Sequence, residues 1–238
     1  MNAFIKKLLH FAPLSSEEQA VLSLACRSVR TFPAGATLLR AGEKPRDLFI
    51  ILEGFACRIK ADPDGKSSIV SYLVPGDTGD QHGFILKETD HDVTALSQCI
   101  FAFLPQDSFS LMVERFPRVI HALWWATLVE QATSREWVFN VAARQAPKRV
   151  AHLLCELLMR LELVGLVHDD SYILPITQAE LGDTLGLSSI HICRVLRFLR
   201  DRGLIDWNKS KTLTIPDVAK LKAFGAFDPN YHHLEDRY

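Results

Sequence analysis

Between residues 30 and 105 the apolar positions come in short runs separated by turn residues. The runs Thr37–Arg40, Leu48–Leu52, Ala56–Lys60, Ser67–Leu73, Asp92–Ala95 and Ile100–Leu104 recur at intervals of about 8–12 residues, which predicts a small antiparallel barrel or sandwich. Asp62-Pro63-Asp64-Gly65 is the clearest hairpin turn, because proline presets φ and glycine accepts the left-handed position. Seven of the twelve glycines, Gly35 through Gly83, fall in this same stretch. After Pro105 the pattern changes. Beyond Pro117 the chain runs to Arg144 without glycine or proline and is rich in Ala, Leu, Val and Trp. This predicts one helix of about 27 residues, about 40 Å long. Ile120, Leu123, Trp124, Thr127, Leu128, Gln131 and Val138 form an apolar strip with polar interruptions along it. A β-unit this small cannot cover so long a helix, so the strip is expected to pair with a second copy; packing on its own barrel is the alternative. Pro147 is expected to break the helix. Lys148–Leu163 then reads as an amphipathic helix with Val150, Leu153, Leu154, Leu157, Leu158 and Leu161 on its apolar face.

The pattern between Pro175 and Ile215 is the most specific. Thr177-Gln178-Ala179-Glu180 has the form of a capping box, in which the threonine hydroxyl accepts from the Glu180 amide and the carboxylate returns to the cap amide. A short helix, Gln178–Leu185, should follow, with Gly186 as the left-handed residue of a tight turn. Ser188 caps a second helix running to about Arg202, where Gly203 stops it. Helix, glycine turn and helix make a helix-turn-helix. Ile192, Val195, Leu196 and Leu199 share one face of the second helix, and Ser189, His191, Arg194, Arg197 and Arg200 avoid it. Leu204–Trp207 and Thr212–Ile215 alternate like strands around Asn208-Lys209-Ser210-Lys211, a β-wing with a basic tip.

Composition narrows the class. The 238 residues are 48% hydrophobic and 23% charged, which excludes a disordered or low-complexity chain. The longest candidate apolar stretch, Ala122 to Val129, is eight residues and contains Thr127, well short of the ~18 that span a bilayer. The start carries Lys6 and Lys7 with no sustained apolar core, so no signal peptide is read. The expectation is a soluble, cytoplasmic protein without membrane contact. Cys26, Cys57, Cys99, Cys155 and Cys193 lie far apart with no C-x-x-C pair, which argues against a zinc knuckle or iron–sulfur run and for reduced, buried thiols. No metal site is predicted.

The net charge of −1 does not announce a nucleic-acid partner, yet Ser188 to Lys211 holds six Lys/Arg against two Asp. Arginine bridges O6 and N7 of guanine, and serine at a helix start bonds phosphate. The residues expected at double-stranded DNA are Thr177, Gln178, Ser188, Ser189, Ile190, His191, Arg194, Arg197 and Lys209. Ile190 either meets a thymine methyl or packs against the turn. An enzyme is not expected. A cupin-like metal site needs His-x-His, whereas the barrel region offers His82 alone, and no Gly-x-Ser-x-Gly elbow, Walker loop or H-E-x-x-H is present. A ligand-binding module whose helix-turn-helix serves as a protein surface remains the alternative.

The order β-roll, long helix, winged helix-turn-helix resembles the Crp–Fnr regulators, the catabolite (cyclic-AMP) receptor and its anaerobic relatives. The resemblance is carried by Gly35-(x6)-Gly42, Phe49-Ile50-Ile51-Leu52-Glu53-Gly54, Asp62-(x2)-Gly65 and Pro75-Gly76-Asp77-Thr78-Gly79-Asp80, then by Thr177-Gln178-Ala179-Glu180-Leu181 through Arg194 to Arg202-Gly203-Leu204-Ile205. It spans roughly residues 15–220 and implies an α+β chain in three parts. These are a cyclic-nucleotide-binding-like β-roll sensor (1–116), a long dimerisation helix (117–145) and a winged helix-turn-helix (146–238). It implies a bacterial homodimer that binds a palindromic operator and contacts RNA polymerase. Dimerisation would use Ile120, Leu123, Trp124, Thr127, Leu128 and Gln131, and the effector pocket would lie at Gly76, Gly79, Asp80 and His91.

Departures from the family pattern limit the effector. Members that bind cyclic AMP carry an Arg-Ser pair after the Pro-Gly-Glu loop. Here Glu88-Thr89-Asp90-His91-Asp92 offers no arginine and three acids, so cyclic AMP is not the expected effector. The oxygen-sensing branch needs clustered N-terminal cysteines, and only Cys26 lies in the first 56 residues. Haem would need axial ligands beyond a lone His82 or His91. No cofactor is predicted, and the small-molecule effector stays unidentified. In the recognition helix, Ile190 stands where many members have the glutamate that pairs with arginine four residues on, so the familiar operator is not implied.

Overall fold

The computed structural model describes residues 1–79, 88–208 and 210–234. The chain forms two compact units, Met1–Leu128 and Val129–Tyr238, and the division falls inside the long helix. The helix expected to stand between two domains is therefore shared by both.

The first unit opens with two helices outside the sequence expectations, α1 (Ala3–Leu9) and α2 (Ser16–Ala25). Seven strands follow, β1 (Val29–Phe32), β2 (Thr37–Leu39), β3 (Asp47–Glu53), β4 (Ala56–Ala61), β5 (Ser67–Leu73), β6 (Asp92–Ala95) and β7 (Cys99–Pro105). They pair as two antiparallel sheets, β1-β7-β3 and β2-β6-β4-β5. Phe49 and Ile51 from β3 and Cys99 and Phe101 from β7 meet Ala56, Leu73, Val93 and Ala95 of the other sheet in one apolar core. The hairpin turn at Asp62–Gly65 forms as its sequence requires, with the Asp62 carboxylate accepting from the Lys66 amide at 2.9 Å and Gly65 at φ +83°. Strand β1 escaped the sequence pattern because Val29, Arg30 and Thr31 are all exposed. Its pairing with β7, across about seventy residues, supplies what its composition lacks.

Helix α3 (Gln106–Arg115) leads into α4 (Pro117–Ala143). The start of α4 is pinned by charge: Arg118 Nε donates to Glu18 Oε1 at 3.0 Å. Glu18 is 5% exposed and also completes the capping box of α2 with Ser15. The Ser15 amide, ahead of Arg118, holds this carboxyl below its ordinary range. Val119, Ala122 and Leu123 are buried in the first unit, and Trp125 stacks on Phe11 with ring centroids 6.3 Å apart. This corrects one expectation. Leu123 is 2% exposed, so it belongs to the unit's own core and has no surface to offer a second copy.

In the second unit α5 (Ala146–Glu162) begins earlier than expected. Pro147 sits in its first turn, where its missing N–H costs nothing, so this proline starts α5 instead of separating two helices. Strand β8 (Ser171–Ile173), helices α6 (Gln178–Leu185) and α7 (Ser189–Asp201), strands β9 (Asp206–Trp207) and β10 (Thr212–Thr214), and helix α8 (Val218–Gly225) follow. The small sheet runs β8-β10-β9, and Tyr172 of β8 donates its hydroxyl to the Leu154 carbonyl of α5 at 2.9 Å. Four cysteines are buried as expected. Cys193 is exposed, because it lies on the outward side of α7. No helix among the described residues is long and apolar enough to cross a membrane.

Candidate nucleic-acid interface

The turn between α6 and α7 is built from local bonds. Thr177 Oγ1 accepts from the Glu180 amide at 3.2 Å, and Glu180 Oε2 accepts from the Thr177 amide at 2.6 Å. Both halves of the capping box thus form. Gly186 ends α6 in the left-handed region at φ +65°, and Leu187 N donates to the Gly182 carbonyl at 3.0 Å. Ser188 Oγ then accepts from the His191 amide at 3.2 Å and starts α7. Gly182 has a separate role. A Cβ there would stand 2.4 Å from the Leu187 carbonyl, so the turn closes against the α6 backbone itself.

Helix α7 divides cleanly. Ile192, Val195, Leu196 and Leu199 are buried, while Ser189, Ile190, His191, Arg194, Arg197 and Arg200 are exposed. Ile190 is 66% exposed, so packing against the turn is not its role. Thr177, Gln178 and Ser188 are also exposed, beside the helix starts. Lys209 lies outside the described residues. Around it, the Asn208 carboxamide oxygen accepts from the Ser210 and Thr212 amides at 3.0 and 3.1 Å, and Lys211 takes φ +63°, giving a short hairpin between β9 and β10.

Three features of this surface lay beyond the sequence reading. A depression of about 440 Å³ runs beside α7, lined by Pro147, Ser188, Ile190, His191, Arg194 and Phe198. Arg202 stacks its guanidinium 4.2 Å from the Phe198 ring centroid, an i, i+4 pair that the sequence carried. Arg149 of α5 also donates to the Leu185 carbonyl at 3.2 Å. No local pattern marks that contact with the end of α6.

In the β-roll the residues expected around an effector are held by internal bonds. Gly76 N donates to the Ile51 carbonyl at 2.8 Å and Gly79 N to the Phe49 carbonyl at 2.7 Å. A Cβ on Gly79 would stand 2.2 Å from the Phe49 ring. Asp80 and His82 lie outside the described residues. His91 is 7% exposed, with Nδ1 2.8 Å from Asp90 Oδ1. Asp90 Oδ2 accepts from Lys60 Nζ at 2.5 Å. The Lys60 ammonium first, and His91 second, pull the Asp90 carboxyl down to about 2. Asp77 accepts from Lys7 Nζ at 2.5 Å and from the Val74 amide at 2.7 Å. The sequence reading missed Arg58. It is 6% exposed and donates to Ser71 Oγ at 3.4 Å and to the Thr78 carbonyl at 3.5 Å. Its only signal was a charged residue at a buried register of β4.

Residues 29–116 match the profile of a cyclic nucleotide-binding domain, and residues 148–224 that of a Crp-like helix-turn-helix domain. The transcriptional activator protein FnrL of Cereibacter sphaeroides is 27% identical over 213 residues, covering 88% of this chain and 85% of that protein. The cAMP-activated global transcriptional regulator CRP of Pasteurella multocida is 29% identical over 191 residues, covering 79% of this chain and 89% of that protein. FixK2 from Bradyrhizobium japonicum shares the fold with a TM-score of 0.73 at 19% identity, over 83% of this chain and 96% of its own. FnrL is thus a transcriptional activator and CRP a transcriptional regulator.

The close approach at Gly182 generates a direct test. Gly182→Ala drives a methyl into the Leu187 carbonyl and should lower stability by roughly 1–3 kcal/mol, the usual penalty for overpacking. Urea unfolding measures it, and an unchanged midpoint would mean the turn opens without cost.

Proposed function

The chain is a DNA-binding transcription regulator of the Crp/Fnr family, and from that premise we propose that it works as a homodimer reading a palindromic operator with α7, under an effector other than cyclic AMP. The observation that carries this reading is the exposed face of α7 beyond its Ser188 cap, with Ile190, His191, Arg194 and Arg197 at the spacings of one helical side. A recognition helix enters the major groove by its first turns. Arg194 is the guanine reader, Ile190 faces a thymine methyl, and Ser189 and His191 flank them. Ser188, Arg197, Thr177, Gln178 and Lys209 bind phosphates, which fix register without carrying sequence information.

Dimerisation rests on α4. With Leu123 withdrawn into the core, the strip that remains is Trp124, Thr127, Leu128 and Gln131, with half-buried Ile120 at its start and Val138 and Phe139 beyond. Trp124 is 64% and Val138 71% exposed, an apolar excess that a partner helix would bury. Contact with RNA polymerase follows from the family alone.

The effector reading rests on charge. The acids at 90 and 92 are engaged with Lys60, His91 and the Ala41 amide, and no arginine stands among residues 88–92. A cyclic phosphate placed there would meet carboxylates with no arginine among residues 88–92 to neutralise it.

Three outcomes are expected. In selection from random DNA, wild type should return a palindrome with half-sites about 34 Å apart. Arg194→Ala should lose preference at one symmetric base pair, a discrimination of about 1–3 kcal/mol, whereas Ser188→Ala and Arg197→Ala should weaken all sequences alike. Identical logos for wild type and Arg194→Ala would remove Arg194 as the reader. In sedimentation, Leu128→Glu combined with Val138→Glu should give monomers; intact dimers would place the interface elsewhere. Calorimetry should register no cyclic-AMP binding, and a micromolar affinity would overturn the effector reading.

A further inference from the structure

The helix-turn-helix profile ends at residue 224, yet the chain beyond it is bound into the second unit. Ala226 turns through the left-handed region at φ +48°, and its carbonyl accepts from Arg144 Nη2, just past the end of α4, at 3.3 Å. Phe227 is buried. Asp228 caps a short 3-10 helix, Pro229–His232, by accepting from the Asn230 amide at 3.0 Å. This segment lies on α5. The His152 ring is 5.0 Å from Phe227 and 6.1 Å from Tyr231, stacked within 17° of the latter.

Beneath Tyr231 is Glu156, a carboxylate with no exposed surface. Its Oε2 accepts from Trp137 Nε1 of α4 at 2.8 Å and from the Tyr231 hydroxyl at 3.4 Å, and its Oε1 from Arg160 Nη1 at 3.2 Å. Glu136 of α4 completes the cluster, 2.7 Å from Arg144 Nη1 and 3.4 Å from His152 Nε2. One buried acid of α5 is therefore held at once by α4 and by the C-terminal segment. Helix α5 is also the element on which α6, α7 and α8 pack. Burial first, and the Arg144 charge next, bring His152 down to about 4, so it sits as a neutral ring between the aromatics and Glu136.

We propose that the segment Phe227–His232 is a clamp that sets the angle between the second half of α4 and α5, with Tyr231 and Trp137 as positioning residues acting through Glu156. The inference rests on the reading that α4 joins two copies and α7 reads DNA. In such a dimer the angle at each α4–α5 corner fixes the separation of the two recognition helices. That separation must match half-sites about one turn, ~34 Å, apart. A looser corner leaves each α7 able to bind one half-site and impairs only their simultaneous engagement. This is a loss of effective concentration and not of contact.

The test compares wild type, Tyr231→Phe, Trp137→Phe and a chain ending at Phe227 on fluorescent duplexes. The duplexes carry the selected palindrome, a single half-site, and palindromes with the spacer one base pair longer or shorter. The truncated chain should lose roughly tenfold on the palindrome, as expected for removing a hydrogen bond to a buried carboxyl group together with its packing, and each substitution roughly threefold. Affinity for the single half-site and the salt slope should stay at wild-type values, because no phosphate contact is touched, and discrimination among the spacers should shrink. Equal losses on half-site and palindrome would mean a defect of folding or contact, and wild-type spacer discrimination in all variants would mean that the corner is held elsewhere; either overturns the clamp. If wild type itself selects no palindrome, the dimeric reading fails first, and the clamp with it. Should truncation prevent folding, Tyr231→Phe decides alone, since it keeps its ring and loses only the hydroxyl that donates to Glu156.

Discussion

A helix of 27 residues has more surface than either unit can cover, and that constraint organises the chain. Each unit buries a different stretch of α4. Val119, Ala122 and Leu123 complete the core of the first, and Val129, Ala132 and Asn140 are buried in the stretch belonging to the second. Both anchor it further by charge, through Arg118 and Glu18 in one case and Trp137 and Glu156 in the other. What is left over, Trp124, Leu128, Val138 and Phe139, is apolar and in water.

The two units use polar groups in opposite ways. In the helix-turn-helix, local bonds are spent on shape, and the outward side chains of α7 stay exposed. In the β-roll, the residues carrying the family motif are bound inward. Asp77 is held by Lys7 and a turn amide, and His91 by Asp90. A carboxylate already satisfied by an ammonium has little reason to exchange it for a ligand hydroxyl, since the exchange leaves a desolvated cation behind. Arg58 is a further charge buried in the roll, 6% exposed and bonded to Ser71 and the Thr78 carbonyl.

Features closed by bonds between near neighbours were legible in the sequence. The Thr177 and Glu180 box, the Gly186 turn, the Ser188 cap and the Asp62–Gly65 hairpin all involve residues three or four apart. Their geometry follows from residue type. The buried face of α7 was equally plain, because a 3.6-residue period already separates Ile192, Val195, Leu196 and Leu199 from the arginines. The sequence by itself therefore determined the second helix of the helix-turn-helix, its cap and its outward face, along with six of the seven strands of the roll to within a residue.

Only the tertiary structure decided which apolar residues of α4 are core and which are surface. Leu123 and Leu128 are the same residue type on one predicted strip, yet one is 2% and the other 49% exposed. The difference comes from what packs against the helix, and periodicity does not encode it. Strand β1 exists because β7 pairs with it across the fold. Glu156 is an acid within an apolar helix pattern; its partners, Trp137 and Tyr231, lie 19 residues before it and 75 after. Contacts at such separations depend on how the chain closes on itself, so no reading of neighbouring residues contains them.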